Sequence, residues 1–218
     1  MTLPYIPKLV QWCFPKRIWH FSRKEKSIYL TFDDGPIPKV TPWVLQQLST
    51  YNAKATFFCI GENIKKHPKL FSEIISKGHA IGNHTQHHYN CKSTEHLKYI
   101  NDVSLCEYEI HTALDKEKEP IVTTKKLFRP PYGRLSLRAS KTLRKLGYKI
   151  VMWDGLSVDY NAAVSKEKCL ENVLRHTKNG SVIVFHDSLK AENNLRYALP
   201  KVLAYYSEKG YAFKAIKD

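Results

Sequence analysis

Short apolar runs alternate along this chain with longer stretches whose apolar residues recur at helical spacing. Runs of roughly four to eight apolar residues are typical of buried strands, and the longer stretches are typical of helices packed on one side. The pattern predicts strands at residues 28–33, 54–60, 79–83, 126–129, 149–154, 181–186 and 211–216. It predicts helices near residues 40–50, 62–77, 94–116, 136–146, 165–177 and 191–209.

The last predicted helix has the clearest pattern. Its apolar residues fall on one face of the helix, at Leu195, Leu199, Val202, Leu203 and Tyr206. Regular alternation of strands and helices indicates parallel strands covered by helices. The seven strands therefore predict an α/β fold with a closed or nearly closed (β/α) barrel.

Five of the strand segments end in residues that can do chemistry. They read IYLTFDDG (28–35), AIGNHTQHH (80–88), KLFRPPYG (126–133), KIVMWDGLSVD (149–159) and SVIVFHDS (181–188). In (β/α) barrels the active site lies at the C-terminal ends of the strands. The pattern therefore predicts an enzyme with a single site at that end.

Targeting signals and cysteine usage bear on location. No apolar run approaches the ~20 residues of a membrane span, and the N-terminal stretch lacks the apolar segment and cleavage site of a signal peptide. The five cysteines form no Cys-x-x-Cys pair, which is typical of reduced thiols. These observations predict a cytoplasmic protein. Residues 12–20 mix aromatic and basic side chains that could touch a membrane surface, although a segment covering the barrel fits better.

The formal net charge of +15 raises the question of an anionic partner. The basic residues are scattered along helices, as at Lys65 and Lys141, and no nucleic-acid-binding motif is present. The charge therefore indicates a solvated basic surface, and we expect no nucleic-acid partner. The sequence leaves the oligomeric state open.

Two neighbouring carboxylates, Asp33 and Asp34, end the first strand. Because side chains alternate along a strand, one carboxylate can bind a metal while the other faces substrate. Gly35 and Pro36 then turn the chain. A solvated turn is an equally good interpretation of these four residues taken alone.

Histidines strengthen the case for a metal. His84 and His88 are four residues apart, which on a helical turn places both imidazoles on one face. Two histidines and one carboxylate leave open positions for water and substrate, as a catalytic site requires. His87 points elsewhere at this spacing and is expected to be a surface or supporting residue.

The motifs DDGP, HTxxH, RPPYG and FHD occur in this order, and with them the chain closely resembles the polysaccharide deacetylases of carbohydrate esterase family 4, the NodB-homology domain. The resemblance extends from about Ser27 to about Ile216. It implies one domain over residues 1–218 with its core at about 27–216, folded as a distorted (β/α) barrel. It also implies an enzyme that removes acetyl groups from N-acetylated glycans with the help of a divalent metal.

The resemblance assigns roles to individual residues. Asp34, His84 and His88 would hold the metal, in the first place zinc, although this donor set also accepts cobalt, nickel or iron. Asp33 would be the general base that takes a proton from water. Arg129 would pair with Asp33 and hold its carboxylate in position.

The remaining roles concern the acetyl group and the leaving amine. The backbone N–H of Tyr132 would stabilise the oxyanion, since the prolines before it cannot donate. His186 would be the general acid that protonates the leaving amine. Trp153 and Pro131 are candidate substrate contacts for the acetyl methyl. For Trp153, a place in the apolar core is an equally good interpretation.

The chain departs from the family at one motif. Members often have Trp-x-x-Asp-Ser-x-Asp-Trp, whose first Asp tunes the acid histidine, whereas this chain has Leu156 at that position. Asp159 fits the second Asp and is expected to be a structural loop residue. Asp154 is the obvious substitute partner for His186, although a solvated or helix-facing Asp154 is as compatible with the sequence.

Two alternatives to a glycan deacetylase remain. A metal-dependent amidase acting on a non-sugar amide would have the same site, and a non-catalytic carbohydrate-binding barrel would share the fold. The complete set of site residues argues against the second. The sequence does not separate peptidoglycan, chitin oligomers, an exopolysaccharide or a small acetylated sugar as substrate.

Overall fold

The computed structural model describes residues 3–116 and 126–217. Its strands are β1 (Ser27–Asp33), β2 (Thr56–Cys59), β3 (Ala80–Asn83), β4 (Leu127–Phe128), β5 (Lys149–Ile150), β6 (Gly155–Leu156), β7 (Ser181–His186) and β8 (Ala212–Phe213). Its helices are α1 (Lys8–Cys13), α2 (Thr41–Thr50), α3 (Gly61–Lys66), α4 (Pro68–Ser76), α5 (His96–Lys116), α6 (Leu137–Lys145), α7 (Lys166–His176) and α8 (Glu192–Glu208). The predicted domain range also includes residues 1–2, 117–125 and 218, which lie outside the described residues, and the single domain stays a prediction.

The strands form one curled parallel sheet in the order β5-β4-β3-β2-β1-β7-β6, and β8 pairs with the start of β1. All pairings between named strands are parallel, as the alternation of strands and helices predicted. Seven strands of this sheet curl into an incompletely closed barrel. The predicted α/β fold with a distorted (β/α) barrel is therefore confirmed.

The N-terminal segment lies beside the open edges of the barrel, β5 and β6. Ile18 accepts a hydrogen bond from the N–H of Met152 at 2.7 Å and donates one to the carbonyl of Ile150 at 2.9 Å. Pro4 accepts a hydrogen bond from the N–H of Leu156 at 2.8 Å. This segment thus covers edge groups of the sheet that would otherwise lack partners.

The predicted strand at 149–154 is wrong as one element. The N–H of Val151 still bonds to the carbonyl of Phe128 on β4, at 2.9 Å. The N–H of Asp154 already bonds to the carbonyl of Val182 on β7, at 3.2 Å. The chain therefore crosses from one edge of the curled sheet to the other within a few residues and pairs as two short strands.

The predicted helix at 62–77 is likewise two helices. Pro68 begins α4, and the residue before it, His67, has φ −134° and ψ 56°. A proline disfavours helical geometry in the preceding residue, and it has no backbone N–H to donate to a helical hydrogen bond. The break therefore follows from the proline itself.

The main core lies between the sheet and its helices. β1 is buried along nearly its whole length, as expected for a strand of a parallel sheet covered by helices. Phe32 stacks on Phe57 and Phe185 of the two neighbouring strands, with ring centroids 5.0 and 6.1 Å apart. The apolar face predicted for α8 is fully buried against this cluster.

The cysteines are free thiols, and four of them are buried. Cys13 is the exception, since it is exposed on α1. None of the described helices combines the length and the apolar character needed to cross a bilayer.

Candidate active site

The C-terminal ends of the strands gather the chemically able side chains at one place. Asp33 ends β1 and is the register neighbour of His186, which ends β7. Arg129 follows β4 and donates its backbone N–H to the carbonyl of Asn83, at the end of β3, at 3.1 Å. The topology therefore brings together residues that are far apart in sequence, at the edge of the sheet where the site was expected.

Three of these residues form a group that could hold a metal ion. Asp34, His84 and His88 offer one ligand atom each, and the atoms lie within 4.8 Å of one another. Oδ1 of Asp34 is 3.3 Å from Nε2 of His88 and 3.7 Å from Nε2 of His84. This oxygen is buried and has no hydrogen-bond partner among the described residues. Because an unpaired buried carboxylate oxygen is costly, the group fits a bound divalent cation.

A hydrogen bond to a carbonyl assigns the tautomer of His84. Nδ1 of His84 lies 2.8 Å from the carbonyl of Arg129, which can only accept, so Nδ1 donates and Nε2 keeps its lone pair. Nδ1 of His88 is 3.2 Å from the hydroxyl of Tyr132. Burial, with a further contribution from His88, lowers the pKa of His84 to about 3, and burial also lowers the pKa of His88. Both imidazoles are therefore neutral, the form that binds metals.

The HTQHH segment is a loop, so the expectation that its histidines share a helical face is wrong. Thr85 and His88 adopt left-handed conformations, with φ of 68° and 57°. The loop is held by Asn83, whose Oδ1 accepts a hydrogen bond from the N–H of Thr85 at 2.9 Å. The imidazoles of His84 and His88 converge, with ring centroids 5.1 Å apart, because of these turns.

Asp102 of α5 is a second anchor of this loop and was missed from the sequence. Its Oδ2 accepts hydrogen bonds from the N–H groups of Gln86 and His87, both at 3.1 Å. Its Oδ1 is 2.5 Å from Nδ1 of His87. The sequence does carry a signal, because Asp102 lies on the helix stripe of Tyr99, Val103 and Cys106, all of which are buried. An acid on the buried face of a helix is expected to serve a specific partner.

Arg129 is fully buried and pairs with Asp33. Its Nη1 donates to Oδ1 of Asp33 at 2.7 Å and to the hydroxyl of Thr31 at 2.7 Å. Its Nη2 donates to the carbonyl of Met152 at 3.0 Å, and the guanidinium lies 4.1 Å above the ring of Phe58. Burial lowers the pKa of Arg129, while Asp33 opposes the shift. The guanidinium thus holds one oxygen of the Asp33 carboxylate in a fixed place.

The turn after Asp34 is fixed by Asp187, which is fully buried. Oδ1 of Asp187 accepts the N–H of Gly35 at 3.1 Å, and Oδ2 accepts the hydroxyl of Thr41 at 2.5 Å. A Cβ at Gly35 would lie 2.0 Å from Oδ2 of Asp187, so only glycine fits here. Burial raises the pKa of Asp187 to about 7. This contact connects the segment that carries both carboxylates to the end of β7.

His186 has Asp159 as its carboxylate partner. Nδ1 of His186 is 2.7 Å from Oδ1 of Asp159, and the N–H of His186 donates to Oδ2 at 2.9 Å. Asp159 is 1% exposed. Burial alone would lower the pKa of His186, but Asp159, with smaller contributions from Asp34 and Asp33, raises it to about 9. The imidazole is thus charged at neutral pH.

This pairing corrects both expectations about the variant motif. Asp159 is not only a structural loop residue, and Asp154 does not reach His186. The carboxylate of Asp154 accepts hydrogen bonds from Arg23 at 2.6 Å, from the hydroxyl of Ser181 at 3.0 Å and from the N–H of Val182 at 2.8 Å. These partners lie at the opposite end of β7 from His186.

Backbone geometry explains why Asp159 reaches His186. The N–H of Ser157 bonds to the carbonyl of Val184 at 3.1 Å, which keeps the chain beside β7. Val158 then adopts φ of 64°, an unusual conformation for a β-branched residue. Leu156, at the position of the expected carboxylate, packs with Val158 and Val184 in an apolar cluster.

The RPPYG segment forms a short 3₁₀ turn at Pro131–Gly133. Tyr132 has φ of 59°, and its N–H makes no hydrogen bond to the backbone of the described residues. Pro131 is buried. A Cβ at Gly133 would lie 2.6 Å from the ring of Trp153, so this glycine lets Trp153 pack on the turn. Nε1 of Trp153 is buried without a hydrogen-bond partner among the described residues.

Comparison with known proteins places the chain among deacetylases. Residues 21–151 match the sequence profile of the family described as polysaccharide deacetylase. A peptidoglycan-N-acetylglucosamine deacetylase of Bacillus cereus is 34% identical over 203 residues, which cover 92% of this chain and 91% of the relative. A chitooligosaccharide deacetylase of Azorhizobium caulinodans is 36% identical over 168 residues, 76% of each chain.

The structural comparison agrees. The crystal structure of a peptidoglycan N-acetylglucosamine deacetylase, in complex with an N-oxidanyl-benzamide, superposes with a TM-score of 0.85 at 30% identity. The superposition covers 97% of this chain and 95% of that structure. The structural similarity therefore extends over nearly the whole length of both proteins.

Proposed function

The chain belongs to the polysaccharide deacetylase family and is a hydrolase of non-peptide carbon–nitrogen bonds, and we propose that it removes N-linked acetyl groups from N-acetylglucosamine residues of a glycan in a metal-dependent reaction. One observation carries the proposal. The unpaired Oδ1 of Asp34 and two neutral histidines lie beside a fixed carboxylate, Asp33, and a charged imidazole, His186.

Asp34, His84 and His88 are the residues that would hold the metal. Their oxygen and nitrogen donors favour zinc, and cobalt, nickel or iron are compatible with the same set. When bound, the ion supplies a Lewis acid that polarises the acetyl carbonyl and makes water a better nucleophile.

Asp33 is proposed as the general base. Arg129 occupies Oδ1 of its carboxylate, which leaves Oδ2 to take a proton from the attacking water. Because the carboxylate is held by a buried guanidinium, it needs no reorientation at the moment of reaction.

Charge develops on the acetyl oxygen as water adds to the carbonyl carbon. The N–H of Tyr132, which has no backbone acceptor among the described residues, is proposed to donate to this oxygen. Trp153 and Pro131, which lie in or against the same turn, are proposed to contact the acetyl methyl.

His186 is proposed as the general acid. Its Nδ1 is engaged by Asp159, so Nε2 is the nitrogen that can give a proton to the sugar nitrogen as the carbon–nitrogen bond breaks. The products are acetate and the free amine. The base and the acid are register neighbours on β1 and β7, so they lie at the same height in the barrel.

Peptidoglycan is the first candidate glycan, because the Bacillus cereus relative that matches over nearly its whole length is named for it. Chitin oligomers come second, on the similarity to the chitooligosaccharide deacetylase. The cytoplasmic location expected from the sequence conflicts with a wall polymer as substrate and stays a prediction, which fractionation of the producing cells tests.

Acetate release from a substrate panel tests the function. The panel contains peptidoglycan, N-acetylglucosamine oligomers and a non-sugar N-acetyl amide, each assayed after chelator treatment and after addition of zinc. Zinc-dependent release from a glycan is the expected result. Release from the non-sugar amide alone would show an amidase of another class, and retention on the glycan without any release would show a non-catalytic binding protein.

A further inference from the structure

A wide cleft of about 1820 Å³ lies on the face opposite the active site. Residues one or two positions before strands line it, among them Tyr148 before β5, Asn179 before β7 and Tyr211 before β8. Because the strands are parallel, these residues mark the N-terminal edge of the sheet, whereas Asp33 and His186 mark its C-terminal edge. The cleft is therefore separate from the catalytic machinery.

The lining of this cleft is strongly basic. Eight of its residues are Lys or Arg, and Asp154 is the one carboxylate among the lining residues of the described chain. That carboxylate is already engaged, since its Oδ2 binds Nη2 of Arg23 at 2.6 Å. Lys8, Lys16 and Lys178 have no ion pair with any described residue. The cleft thus presents uncompensated positive charge to solvent.

The N-terminal segment, whose Tyr5 and Trp12 line the cleft, also exposes apolar side chains. Trp12 is 74% exposed, Leu9 is 69% exposed and Leu3 is 53% exposed. Tyr5 and Val10 are exposed as well, and α1 has no buried residue. Large exposed apolar side chains that cluster in one short segment mark a surface for a partner.

We propose that residues 3–16 and the basic rim of the cleft bind the surface of an anionic lipid bilayer. Side chains such as Leu9 and Trp12 enter the interface between head groups and acyl chains, and Lys8 and Lys16 lie against the lipid phosphates. A soluble polyanion would use the cations but would leave the apolar side chains in water, so the combination favours a bilayer. The active site then faces away from the membrane, open to a polymer substrate.

Vesicle sedimentation tests the charge component. The protein should bind vesicles that contain phosphatidylglycerol, bind pure phosphatidylcholine vesicles weakly, and lose binding as salt is raised. Each cation near an anionic surface contributes about fivefold, so the double variant Lys8→Gln and Lys16→Gln should bind about 30-fold more weakly. The matched control, Lys66→Gln and Lys69→Gln, removes the same charge from exposed positions near the active-site end and should bind as the wild type does.

A second pair of variants tests the apolar component. Leu9→Ser with Trp12→Ser should weaken binding about tenfold. The control, Leu97→Ser with Tyr108→Ser, changes side chains that are 70% and 64% exposed on α5 and should have no effect. Quenching of Trp fluorescence by lipids brominated in the acyl chain should also be lost in Trp12→Phe.

Two results would overturn the proposal. Equal loss of binding in both lysine variants would show attraction by total charge only. Binding of inorganic polyphosphate that needs Lys8 and Lys16 but not Leu9 and Trp12, together with no vesicle binding, would show a site for a soluble polyanion instead.

Discussion

Asp159→Asn is the most direct test of the assignment of His186 as the general acid. The side chains are similar in size, and Asp159 is buried against β7, so the change removes a charge while it keeps the shape. In the wild type the pKa of His186 is raised from its ordinary value of 6.5 to about 9. Without the carboxylate, burial is the largest remaining influence, and the pKa should fall to 6.5 or below.

The magnitude follows from the protonated fraction of the imidazole. At pH 7.5 nearly all of the wild-type His186 is protonated, against about one tenth in the variant, so kcat/KM should fall about tenfold. At pH 8.5 the loss should be about 80-fold, and near pH 5.5 most of the activity should return. The basic limb of the pH–rate profile therefore moves to lower pH.

The assay is acetate release from an N-acetylglucosamine oligomer by zinc-supplied protein across this pH range. Asp154→Asn is the matched control, because it removes a buried carboxylate whose partners are Arg23, Ser181 and Val182, and its basic limb should stay in place. If Asp159→Asn keeps the wild-type basic limb, either His186 is not the acid or Asp159 does not govern it. A shift in Asp154→Asn of the same size would equally refute the geometry.

Stability gives an independent readout of the same pair. Because the folded pKa of His186 lies above the unfolded value, the pair stabilises the fold most below pH 6.5, and this contribution disappears as pH rises through 9. The full contribution is about 3 kcal/mol. Denaturant unfolding should therefore show a difference between wild type and Asp159→Asn that shrinks from pH 6 to pH 9.5.

Four further predictions concern the rest of the site. Zinc titration by calorimetry should find one ion per chain, and His84→Ala should abolish this binding; an unchanged stoichiometry in the variant would exclude His84 as a ligand. Asp33→Asn should keep the fold and the metal while turnover falls about 10²- to 10⁴-fold, and loss of metal with normal turnover per bound ion would mean that the roles of Asp33 and Asp34 are exchanged. Asp102→Ala should weaken zinc affinity about 10- to 100-fold because the loop of His84 loses three hydrogen bonds, and wild-type affinity would show that the loop holds itself. Gly35→Ala should lower the free energy of unfolding by about 1–3 kcal/mol or more, since its Cβ would lie 2.0 Å from Oδ2 of Asp187; an unchanged melting temperature would contradict that contact.

The fold class and the edge of the sheet that carries the site were predictable from the sequence. Parallel strands covered by helices are buried on both faces, so their sequences are short apolar runs. Each run ends where a polar residue appears. Asp33, Arg129 and His186 could therefore be placed at one edge without knowledge of any contact. The DDGP and HTxxH motifs likewise indicated a metal group before Asp34, His84 and His88 were seen together.

The details that failed depend on contacts between distant parts of the chain. Spacing alone suggested a helical turn for His84 and His88, but backbone N–H groups of the segment donate hydrogen bonds to Asn83 and Asp102, which hold it as a loop. The predicted strand at 149–154 divides because the chain crosses between the two edges of the curled sheet, which no local pattern reveals.

The partner of His186 shows the limit most clearly. The family motif directed attention to Leu156, with Asp154 as the substitute, because a motif compares positions along the chain and does not show which side chains meet. The left-handed conformation of Val158, held by pairing of this segment with β7, turns Asp159 towards His186 instead. The sequence by itself determined which residues could do chemistry and at which end of the barrel they lie. Only the tertiary structure decided which carboxylate keeps the histidine protonated, because pairing of this segment with β7 places Asp159, and not Asp154, beside His186.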